Sequence, residues 1–98
     1  MEVIKLLVTH IDEEVNDAET YAKLAAKYKD SDKELSATFS ALSEQELSHS
    51  DMLHKQAVRI ISAYGKEAPA SMQAIWDWEH EKIVDRTARV RTMLTLAR

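Results

Sequence analysis

Glu46 and His49 stand in a Glu-x-x-His spacing. In a helix that spacing projects a carboxylate and an imidazole from one face, a turn apart. Glu14 occupies a matching place upstream. It lies in a run of three-and-four spacings formed by Ile4, Leu7, Ile11, Glu14, Ala18, Tyr21, Ala25 and Tyr28. Glu46 and His49 lie in a second run: Leu35, Phe39, Leu42, Glu46, His49, Leu53, Gln56, Ile60 and Ala63. Such runs mark the buried seam of a helical bundle. A carboxylate in a seam costs several kcal/mol unless something compensates it. No Lys or Arg shares either run, so a cation is the expected partner. Two carboxylates and a neutral imidazole suit iron, manganese or zinc better than calcium or magnesium.

The elements that position these residues follow from two breaks. Lys29-Asp30-Ser31-Asp32 is polar and rich in cap formers, with Ser31 and Glu34 as a capping-box pair or Asp30 alone as the cap. Tyr64-Gly65-Lys66-Glu67-Ala68-Pro69 holds the chain's lone glycine and lone proline, with Gly65 expected just past one helix and Pro69 at the first position of the next. The expected helices run over about 2–29, 32–64 and 69–97. Short connections predict antiparallel neighbours. Glu14 lies about sixteen residues before the first break and Glu46 about fifteen after it, which sets them at nearly one height at 1.5 Å per residue. His49 follows about 4–5 Å further along.

The third helix has a seam through Met72, Trp76, Glu79, Ile83, Val90, Met93 and Ala97, flanked by Ile75 and Leu94, with Arg86 near the same face. Glu79 is the candidate fourth carboxylate, although it lies several ångströms off the height of the others if the helix folds straight back. His80 falls at the edge of that face. Trp76 and Trp78 cannot share one face, so one belongs to the core and the other to an edge. His10 and His54 read as flanking residues. Glu13, Asp17, Glu19, Glu44 and Asp51 read as a solvated acidic face that also draws cations towards the site. Tyr21, seven residues after Glu14, is placed either as a hydrogen-bond partner to a ligand carboxylate or as a core tyrosine.

Composition agrees with a single all-α domain over 1–98. Gly and Pro total two of 98 residues, where average usage gives about twelve; an all-β chain needs far more turn punctuation. The absence of cysteine excludes disulfides, thiolate zinc sites, iron–sulfur clusters and Cys nucleophiles. A net charge of −4 without a Lys/Arg run disfavours nucleic acid and anionic membranes as partners. The longest apolar run is three residues, as at Leu6–Val8, so neither a spanning segment nor a signal peptide is expected, and cytoplasm is the default compartment.

Two stretches, Glu14-Val-Asn-Asp-Ala-Glu-Thr-Tyr21 and Leu42-Ser-Glu-Gln-Glu46-Leu-Ser-His49, resemble the ferritin-like superfamily, in its rubrerythrin and encapsulated-ferritin branch. The resemblance covers about residues 4–64. It implies a di-iron carboxylate site that oxidises Fe(II) with O₂ or peroxide for storage or detoxification, with Glu14, Glu46 and His49 as ligands and two metals about 3.5–4 Å apart. A full ferritin-like bundle carries two Glu-x-x-His halves, and this chain carries one; Glu79-His-Glu-Lys82 and Glu81-Lys-Ile-Val84 do not supply the second. The resemblance therefore implies three antiparallel helices forming a half-bundle, completed by a two-fold homodimer or a higher even-numbered oligomer. It also suggests residence in an encapsulin shell, although cargo of that kind ends in a flexible targeting tail and Leu96-Ala97-Arg98 reads as helix. Without cysteine there is no rubredoxin-type iron centre. Two other readings stay open: a structural metal stapling a helical dimer without turnover, and a metal-free helical interaction module whose seam polars set register.

Overall fold

The computed structural model describes residues 2–65 and 69–98. It holds three α-helices, α1 (Glu2–Tyr28), α2 (Lys33–Tyr64) and α3 (Ala70–Ala97), and no strand among the described residues. Asp32, not Asp30 or Ser31, caps α2: its carboxylate accepts from the Leu35 backbone N–H at 3.1 Å. The Asp32 N–H closes the preceding turn onto Tyr28 O at 2.9 Å, which leaves Ser31 outside the helix and unable to form the capping box. Gly65 ends α2 with φ 56°, its N–H donating to Ser62 O, a left-handed conformation that favours glycine. Residues 66–68 of that break lie outside the described residues. Pro69 caps α3 rather than opening it. Its carbonyl accepts from the Met72 and Gln73 N–H groups.

The contact between α1 and α2 is made by small residues. Ala18, Ala22 and Ala25 of α1 face Ser36 and Ser43 of α2, and further along Ala57 packs in the cluster of Ile4, Val8 and Ile11; all are buried. Ser36 Oγ donates to Ala25 O, and Ser43 Oγ to Ala18 O, each at 2.7 Å. These bonds satisfy the buried hydroxyls and fix an antiparallel register in which a seven-residue advance on α2 matches a seven-residue retreat on α1. The buried stripe of α1 is Ile4, Val8, Ile11, Val15, Ala18, Ala22 and Ala25. Leu7, Glu14, Tyr21 and Tyr28, expected in the seam, are half-buried on its flank. On α2 the expected seam is likewise displaced: Glu46 and Leu53 are half-buried, and His49, Gln56 and Ala63 are exposed. Small side chains let the two backbones approach, and this close approach leaves the larger residues of the expected seam at the groove's edge.

α3 leans chiefly on α1 and touches α2 sparingly. Met72, Trp76 and Ile83 close one core cluster with Ile4, Val8, Ile11 and Val15, and Val90 and Leu94 close a second with Ala18, Ala22 and Leu47. Leu94 takes the buried place expected for Met93. Arg86 reaches α1, where it pairs with Asp12 at 3.6 Å and Glu19 at 3.7 Å and hydrogen-bonds Asn16. Trp76 is core, and Trp78 is 62% exposed beneath Lys82. No described helix is long and apolar enough to cross a membrane.

Candidate metal centre

The serine-set register brings Glu14 level with Glu46. At roughly 100° per residue, Glu14 projects to one side of the buried stripe of α1, and Asp12, Asn16 and Glu19, which hold Arg86 of α3, project to the other. The same construction puts Glu46 and His49 on the flank of α2 away from α3. The open face of the α1–α2 hairpin therefore carries three donors. His49 Nδ1 lies 3.4 Å from Glu14 Oε2 and 3.9 Å from Glu46 Oε1. Ligand atoms of all three residues lie within 4.8 Å of one another.

Two carboxyl groups in this position repel when both are ionised. The Glu46 carboxyl is pushed up to about 7, foremost by the hydrogen bond it keeps with Glu14 while protonated, then by burial and by the negative charge of Glu14. The His49 charge opposes the shift, and Asp17, read from sequence as part of a solvated face, adds to it. The group is anion-rich, partly desolvated and short of a cation. Oxygen, oxygen and imidazole nitrogen form a donor set that fits iron, manganese or zinc. His49 is 54% exposed, so the cluster is reachable from solvent.

The other expected participants lie elsewhere. Tyr21 stacks on Phe39, which also stacks on Tyr28, with ring centres 6.1 Å apart in both pairs, so its ring belongs to an aromatic ladder beside the cluster. Glu79 is buried on α3 and stands outside the three-residue group. Its Oε2 has no hydrogen-bond partner and lies 3.5 Å from Lys82 Nζ. His10 pairs with Glu13 at 3.2 Å, and Glu44 pairs with Arg98. Glu19 is held below the usual carboxylate range, chiefly by its hydrogen bond from Lys23. His54 and His80, read as a flanking and an edge residue, instead meet each other and Trp76 between α2 and α3. The sequence signal for that meeting was only a histidine on each helix. Set against protein-family models, curated proteins and solved structures, the chain matches none of them significantly.

Proposed function

We propose that the protein is an iron-binding, ferritin-like half-bundle that oxidises Fe(II) at a site shared across a two-fold dimer. The observation that carries this reading is the convergence of Glu14, Glu46 and His49 on the hairpin face that α3 leaves open. That face continues along the hairpin as half-buried apolar side chains: Leu7, Tyr21 and Tyr28 from α1, and Leu35, Phe39, Leu42 and Leu53 from α2. A second copy laid on this stripe by a two-fold axis buries it and doubles the ligand set to four carboxylates and two imidazoles.

In this assembly Fe(II) is the substrate. Glu14 and Glu46 hold it by charge, and their hard oxygen donors favour the ferric product. His49 binds as neutral imidazole. Glu46 gives up the proton it keeps against Glu14 when the cation arrives, because the charge that raised its pKa is then neutralised. Asp17 and Glu13 extend negative potential outward on α1 and draw cations in. Two Fe(II) ions give one electron each to O₂, which takes up two protons and leaves as H₂O₂. With peroxide as oxidant, two electrons and two protons yield two waters. Manganese and zinc compete for the same donors. An encapsulin compartment is compatible with this reading.

The test is anaerobic loading with Fe(II), then O₂ consumption and Fe(III) absorbance for the parent and for Glu46→Ala and His49→Ala. The parent should turn over and both variants should not. Bound metal without O₂ consumption would identify a structural staple, and no bound metal would identify an interaction module.

A further inference from the structure

On the opposite side of α2 from the Glu14–Glu46–His49 cluster, His54 of α2 and His80 of α3 approach each other with ring centres 4.9 Å apart and planes tilted by 50°. Trp76 lies against both, edge-on to His54 at 5.2 Å and stacked on His80 at 5.3 Å. Both imidazoles are half-buried. A cleft of about 300 Å³, lined in part by Ser50, Asp51, His54 and Arg91, opens on the His54 side of the pair.

We propose that His54 and His80 form a two-imidazole site for a divalent transition ion of the zinc, copper and nickel class, separate from the carboxylate cluster, which clamps α3 to α2. A metal–nitrogen bond of about 2.0–2.1 Å puts the ion about 3.2 Å from each ring centre. Two rings sharing one ion are then about 4.5 Å apart at a right angle and about 5.2 Å apart at the tetrahedral angle. The observed 4.9 Å falls between these. Imidazole nitrogen suits zinc, copper and nickel, whereas calcium and magnesium prefer oxygen.

The electrical setting agrees. Burial, and then the neighbouring His80, hold His54 below the usual histidine range against the pull of Asp51, the direction that favours the neutral imidazole a metal ion binds. The cleft gives an ion access, and water completes its coordination. The location gives the ion a structural use, because α3 touches α2 sparingly and these two side chains span that contact. The site needs neither iron nor a second copy of the chain, so it stands or falls apart from the function proposed above.

Trp76 is a built-in reporter. In a Trp78→Phe background it is the only tryptophan, and paramagnetic Ni²⁺ bound between the two imidazoles must quench it. Titration with Ni²⁺ should give saturable quenching at one ion per chain. The quenching should survive Glu46→Ala combined with His49→Ala and should vanish with His54→Ala or His80→Ala. His54→Gln and His80→Gln, checked for helix content by circular dichroism, guard against an alanine variant that fails to fold; they too should abolish quenching. Zn²⁺ should raise the melting temperature of the Glu46→Ala/His49→Ala protein and not that of the same protein carrying His80→Gln. Quenching that persists in folded His80 variants, never saturates, or disappears with Glu46 and His49 would overturn the proposal.

Discussion

Replacing Glu46 by glutamine should stabilise the metal-free protein, and only above mildly acidic pH. The carboxyl is raised from 4.5 to about 7, mainly by its hydrogen bond to Glu14 and by burial. A group whose pKa is raised on folding contributes stability that is fully present below its unfolded pKa and lost as pH rises through the folded value. The window is therefore about pH 4.5 to 7. At 1.36 kcal/mol per unit the shift corresponds to a ceiling of about 3 kcal/mol. The Glu46 side chain is 20% exposed and its neighbour His49 54%, so solvent screening reduces this to about 1–2 kcal/mol. Glutamine keeps the shape and a donor towards Glu14 without the charge. The difference between Glu46→Gln and parent, from urea unfolding in EDTA followed at 222 nm, should be near zero at pH 4.5. It should grow to about 1–2 kcal/mol in favour of the variant at pH 8, or about 5–10 °C in Tm for a chain of this size. A variant less stable than parent at pH 8, or a difference independent of pH, would refute the crowding of the two carboxyls.

Loading with a divalent metal should reverse that order. A ligand at a hundredfold excess over its Kd adds about 2.7 kcal/mol to the folded parent, chelation should remove it, and identical melting curves with and without chelator would contradict it. Ser43 is fully buried and bonded to Ala18 O, so Ser43→Leu should force the two helices apart at a cost of about 1–3 kcal/mol and weaken metal binding; isothermal titration with Zn²⁺ checks the second effect. Asp32→Ala removes the α2 cap and should cost about 1 kcal/mol in thermal melts, with metal affinity unchanged.

The three helices were legible because the chain spends its only glycine and proline at one break and a polar cluster at the other. The heights of Glu14 and Glu46 were legible too, since counting residues from a turn needs no knowledge of packing. The face was not. Large apolar residues at Leu7, Tyr21, Leu35, Phe39 and Leu53 draw the eye to a stripe that runs along the groove's open edge. The close contact belongs to Ala18, Ala22, Ser36 and Ser43, whose small side chains carry little hydrophobic signal. Both serines are bonded to carbonyls of the neighbouring helix, a partner no local pattern reveals. The meeting of His54 with His80 depends on which side of the hairpin α3 takes, and connection length does not encode that choice.

The central claim is a shared site, and native mass spectrometry of protein loaded anaerobically with Fe(II) addresses it directly. The account predicts an even-numbered oligomer carrying one iron per chain at the carboxylate cluster, with dimer and iron lost together in Glu46→Ala and His49→Ala. A monomer that retained iron, or a dimer whose iron content was unchanged by these substitutions, would contradict it.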